Sequence, residues 1–196
     1  MVLHPIKAIN ELKHENKGSI GLSVIILVLY FVSQVFSYTE TGYIFNYNRP
    51  ERLSLPMVFA TTVLPVLLWC VANWSICTLM DGEGKFSEIF ISTSYSIMPL
   101  VVTTVPVALI SKVLTLEEGP FLTIFSTFLT LWIAINLFVS SMVVHQYTFS
   151  KTVASMLLTV FGIAVILFLT VLLFSLFQQV YTFFATVTQE ILFRID

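Results

Sequence analysis

Charge is missing where this chain is most continuous. Five apolar stretches, 20–38, 57–79, 89–111, 121–144 and 152–177, contain no Asp, Glu, Lys, Arg or His. Only 10% of all residues are charged, 57% are hydrophobic and the mean hydropathy is +0.94, whereas an average soluble domain carries about 25% charge. A water-soluble fold has no interior large enough to hide so much apolar surface. Proton relays, voltage sensors and charged-substrate pathways keep ionisable side chains inside their spans despite the cost, so a pump or proton-coupled transporter is not expected. Basic surface is also scarce. With a formal net charge of -2 and a pI near 5.9, the chain offers no cationic stripe for a phosphate backbone, which excludes nucleic acid as a partner.

Catalytic and metal-binding patterns are absent as well. The two cysteines, Cys70 and Cys77, stand seven apart on one helical face without the close pairing of a zinc site, and read as buried packing residues. No glycine-rich phosphate loop, Ser-His-Asp set or zinc cluster is found. The segment Asp81-Gly82-Glu83-Gly84-Lys85 has neither the ligand spacing of a calcium loop nor the lysine-serine ending of a nucleotide cradle. No catalytic residue, metal or cofactor is therefore expected, and the chain reads as a non-enzyme.

What is present has the length of membrane helices. A hydrocarbon core about 30 Å thick needs roughly 20 apolar residues per crossing, and each of the five stretches meets that requirement. The fold class expected is all-α, an integral membrane five-helix bundle over 20–177. It is flanked by a cytoplasmic amphipathic tail at 1–19 and an interfacial helix at 178–196. Lys7, Lys13 and Lys17 precede the first span, and basic residues there favour the cytoplasm. With the N-terminus cytoplasmic, Lys85 and Lys151 also fall inside, while Arg49, Arg52, Lys112 and Arg194 fall outside. In the tail, Pro5, Ile6, Ile9 and Leu12 give a short amphipathic pattern. At the other end Val180, Tyr181, Phe184, Val187 and Ile191 oppose Thr182, Thr186, Gln189 and Glu190. Because 36 uncharged residues from 152 to 187 would make a helix of about 54 Å, a break is expected at Gln178 and Gln179.

Proline and small polar residues mark the rest. Pro65 should bend the second span, and Pro99 with Pro106 should kink or break the third, where Ser92, Thr93, Ser94 and Ser96 can satisfy freed carbonyls. These hydroxyls, together with Asn73 and Asn136, are candidates for helix-helix contacts or for a polar path. The aromatic residues Phe121, Phe125, Phe128, Trp132 and Phe138 read as lipid-facing or packed. Two exposed connections are candidate partner contacts: Asp81, Gly82, Glu83, Gly84, Lys85 and Phe86 after the second span, and the aromatic loop carrying Arg49 and Arg52.

That turn, the Tyr95-Ser96-Ile97-Met98-Pro99 segment in the third span and the short proline-containing tail together resemble the Yip-domain family, the Ypt-interacting proteins, in its bacterial branch. The likeness covers nearly the whole chain. It implies five spans with a cytoplasmic N-terminus, and eukaryotic relatives act with Rab-type GTPases in vesicle traffic. No Asp-Leu-Tyr-Gly-Pro segment precedes the first span, so Rab binding is not carried over, nor is any catalytic residue. Expected partners are the lipid bilayer, other membrane proteins such as transporter subunits, and further copies of the chain. The leading function is an accessory or assembly subunit of a transport complex in the bacterial plasma membrane. The alternatives are a channel or carrier for a neutral solute or lipid and, by family analogy, a trafficking or membrane-shaping protein.

Overall fold

A computed structural model describes residues 18–46 and 53–195, with side chains as far as 190. The expected N-terminal amphipathic helix and the residues Arg49 and Arg52 lie outside the described residues. The described residues form six α-helices in order: α1 (Ile20–Glu40), α2 (Leu55–Leu79), α3 (Phe86–Ser96), α4 (Met98–Ile110), α5 (Gly119–His145) and α6 (Phe149–Ile195). A 3-10 turn at Leu116–Glu118 leads into α5. Taking α3 and α4 together as one crossing, five helical segments among the described residues are long and apolar enough to span a membrane. Among the described residues all regular structure is helical, as the hydrophobic pattern requires.

The break in the third span lies where proline chemistry puts it. Pro99 has no amide hydrogen to donate back to Tyr95, and it disfavours helical geometry at the residue before it. The ladder therefore resets at Ile97, whose carbonyl accepts from the amide of Leu100 at 2.9 Å. Pro65 and Pro106, by contrast, are held inside continuous helices.

Helix α3 is the hub, with α1, α2 and α5 around it, while α1 packs most extensively on α4 and α6 on α2. The burial pattern is the reverse of a soluble protein's. Among the described residues 16 polar side chains are buried against 13 apolar ones, and large apolar side chains cover the outside. Hydrocarbon solvates Leu and Phe on the exterior, whereas small Ser and Thr let backbones approach closely. Several of their hydroxyls are bonded back to their own helices: Ser92 to the carbonyl of Ile89 at 3.1 Å, Ser96 to Ser92 at 2.7 Å and Thr62 to Val58 at 2.7 Å. Apolar packing is concentrated in Ile26, Leu27 and Ile97 at the α1, α3 and α4 junction, and in Cys70, Ile89 and Val144 between α2, α3 and α5. Both cysteines are free and buried, as their setting implied.

Helix α6 departs from expectation. It runs through Gln178 and Gln179 without a break, because glutamine is a good helix former and neither proline nor glycine follows Gly162. At 47 residues it is about 70 Å long, over twice the hydrocarbon thickness. Only its first half packs on the bundle, and from 167 to 184 every residue is exposed.

Candidate functional site

A polar cluster lies at the end of the bundle where the α2–α3 turn meets the α5–α6 turn. The last turn of α5 carries His145, which is 2% exposed. Its Nε2 lies 3.0 Å from Asn73 Oδ1 on α2, and the Asn73 amide donates to Thr159 Oγ1 on α6 at 3.4 Å. Thr159 in turn donates to the carbonyl of Ser155 at 2.7 Å. One chain of polar contacts thus ties α5, α2 and α6 together. In a low-dielectric interior such contacts are strong, and breaking one strands a costly polar group.

Tyr147, just beyond α5, completes the clamp. Its hydroxyl lies 3.1 Å from the carbonyl of Cys77, which also accepts from the amide of Gly82 at 2.7 Å, and 3.2 Å from that of Met80, both at the end of α2. The ring stacks on His145 at 5.3 Å between centroids, and Lys151 Nζ stands 4.5 Å from the Tyr147 centroid. Burial pushes the Tyr147 phenol above its ordinary range, with smaller contributions from Cys77 and Asp81. It stays protonated at neutral pH and remains a donor.

Glycine spacing explains how the turn fits over this cluster. A Cβ on Gly82 would lie 2.6 Å from the Tyr147 hydroxyl oxygen and 2.7 Å from His145 Nδ1, and one on Gly84 would lie 2.6 Å from Val144 Cγ1 and 2.8 Å from His145 Cε1. Neither glycine has a positive φ. Both are needed for close approach, while the left-handed positions are taken by Asp81 (φ 55) and Gln146 (φ 54), at the ends of α2 and α5. The exposed side chains of Asp81, Glu83, Lys85 and Phe86 are consequently displayed on a turn fixed from beneath. Phe86 meets Trp74 edge-on at 6.1 Å.

The sequence candidates therefore divide. The turn and Asn73 come together through His145. Ser92, Thr93, Ser94 and Ser96 are all buried on α3, and Asn136 is buried on α5 with neither amide atom hydrogen-bonded. Asn73 and Asn136 make no direct bond, Pro99 opens α4 and Pro106 lies within it. Reasoning from sequence missed His145, Tyr147, Lys151 and Thr159. The visible signal was the polar run His145-Gln146-Tyr147-Thr148 opposite a turn with alternate glycines.

At the opposite end, the amide of Gly42 donates to Ser111 Oγ at 2.8 Å, and Lys112 pairs with Glu40. Two clefts open there, one of 440 Å³ between α1 and α2 bordered by Gln34, Ser37 and Thr61, the other of 560 Å³ bordered by Thr41, Phe45, Ser111 and Ser126. Among the described residues neither lining includes a charged side chain, nor Asn73, Asn136 or the α3 hydroxyls.

Charge-free spans, a polar interior and an apolar exterior define a multi-pass membrane protein. The model of the Yip1 domain matches residues 1–173, and the chain belongs to the Yip1-domain family. Neither a curated protein nor a solved structure matches it.

Proposed function

We propose that this Yip1-domain chain is a non-enzymatic membrane protein that works through helix contacts, as an accessory or assembly subunit of a transport complex in the bacterial plasma membrane. One observation carries the reading: Asn73, a strongly polar side chain within the spans, joins His145 and Thr159 in a lock between helices and does not line either cleft. A bundle stiffened in this way suits a scaffold. The partner would meet the Asp81, Glu83, Lys85 and Phe86 surface, which the basic residues of the sequence assign to the cytoplasmic side. Crosslinking in intact cells, then mild-detergent purification through an N-terminal tag, should recover a transporter component in stoichiometric amount. Recovery of the chain without one would count against this role.

The two clefts, whose described linings carry no charge, favour a second reading, passage or binding of a neutral solute or lipid. It requires flux in reconstituted liposomes above that of empty ones for polyols, sugars or labelled lipid.

A further inference from the structure

The seam between α3 and α5 holds a polar side chain that the protein itself leaves without a partner. Ile89 of α3 and Val144 of α5 are buried in one apolar cluster, and consecutive crossings run in opposite directions. Residues three and seven on from Ile89 share its face of α3, and residues four and eight back from Val144 share its face of α5. The two faces therefore set Ser92 level with Ser140, and Ser96 level with Asn136, the latter pair about 10–12 Å along from that cluster. All four are buried, Ser96 and Asn136 completely. Neither Oδ1 nor Nδ2 of Asn136 has a hydrogen-bond partner in the protein.

The groups around that amide narrow what satisfies it. Ser96 donates its proton to the carbonyl of Ser92 at 2.7 Å, so its oxygen is left to accept. One residue earlier, the Tyr95 carbonyl loses its α-helical donor at Pro99, where α3 ends and α4 begins. Asn136 adds two donors and an acceptor. A cation would face those donors and, since 89–111 and 121–144 contain no acidic residue, would lie in the spans without a counter-charge, which is costly. An apolar molecule would leave the amide stranded. Water donates and accepts from one atom, and a buried water makes about three hydrogen bonds to groups otherwise unsatisfied. Between polar groups beyond direct reach, a bridging water is nearly as favourable in enthalpy as a direct bond.

We infer that Asn136 and the end of α3 hold an ordered water within the membrane, bridging α5 to Ser96 and the Tyr95 carbonyl where the third span breaks. The Asn73 junction is direct, whereas this one is water-mediated. It does not depend on any transporter partner. The test is solid-state NMR of the full chain in lipid bilayers, with isotope-labelled asparagine side-chain nitrogen, following magnetisation passed from water protons to each amide. The Asn136 signal is the one lost in Asn136→Leu, or in Asn136→Ser should the leucine variant fail to fold. Transfer to it should be several-fold faster than to Asn73, whose amide atoms contact His145 and Thr159, and should persist when choline replaces sodium. Transfer no faster than to Asn73 would overturn the inference. So would an Asn136 signal that shifts when sodium is removed, which would assign the site to a monovalent cation. Asn136→Leu should also unfold at a lower SDS fraction than the parent, because it expels the water and strands the acceptors on α3. A leucine variant more stable than the parent would mean a dry, unsatisfied amide and would overturn the inference as well.

Discussion

Asn73→Ala tests the polar lock where its removal is most costly. The substitution deletes the 3.0 Å contact with His145 and the longer 3.4 Å contact with Thr159. A hydrogen bond contributes about 1 kcal/mol net, while stranding a buried polar group costs about 1–3 kcal/mol. The long contact counts for little, so the deserted His145 nitrogen dominates and the variant should lose about 2–4 kcal/mol. Lost packing is mixed into that value, and the coupling from a cycle with His145→Ala isolates the pair. Side-chain hydrogen bonds in membrane bundles average about 0.6 kcal/mol in such cycles and reach about 1.7. A short, fully buried pair belongs in the upper part, about 1–1.7 kcal/mol. Parent, single and double variants would be unfolded by titrating SDS into mild-detergent micelles. Circular dichroism and tryptophan fluorescence, to which Trp74 next to Asn73 in α2 contributes, would follow the transition. A coupling below about 0.3 kcal/mol, half the membrane average, would refute the bond between α2 and α5 and with it the lock.

Other substitutions should follow from local geometry. Gly84→Ala should destabilise by about 1–3 kcal/mol in the same titration, since its Cβ would press on Val144 and His145. Gly21→Ala, whose Cβ meets only Ser19 Oγ at an ordinary 3.6 Å, should be neutral or stabilising by up to about 1 kcal/mol. Gln146→Gly should raise stability by roughly 0.5–1 kcal/mol, because glycine adopts φ 54 without the steric penalty of a side chain. Tyr147 gives a pH signature. Its folded pKa is raised by burial, so its stabilisation is full below the unfolded value of about pH 10 and is lost as pH rises from there through the folded pKa. The parent should therefore lose stability above about pH 10 more steeply than Tyr147→Phe, and parallel curves would remove the buried phenol from the account.

Much of the fold was legible because a bilayer leaves few alternatives. A charge-free run of suitable length has to be a helix, since its backbone groups find partners nowhere else in hydrocarbon. The expected spans accordingly lie within the observed α1, α2 and α5, and Pro99 marked the discontinuity at Ile97. Gln178 and Gln179 misled for the complementary reason: they lower hydropathy without weakening a helix, so a polarity change was taken for a backbone break.

The functional cluster was legible only in part. Asp81, Gly82, Glu83, Gly84 and Lys85 stood out as a turn, and Asn73 as a buried amide, yet nothing in their spacing joined them. His145 stands 72 residues from Asn73, just past a span, where composition reads it as part of a connection.

The sequence alone determined the solvent of this protein, its helical class and its crossings, because transfer of apolar surface from water is roughly additive along a chain. Tertiary structure alone decided that Asn73 serves His145, that glycines at 82 and 84 make room for its ring, and that α6 leaves the bundle after its first half. These depend on how helices rotate and approach one another, and that is set by packing between segments distant in sequence.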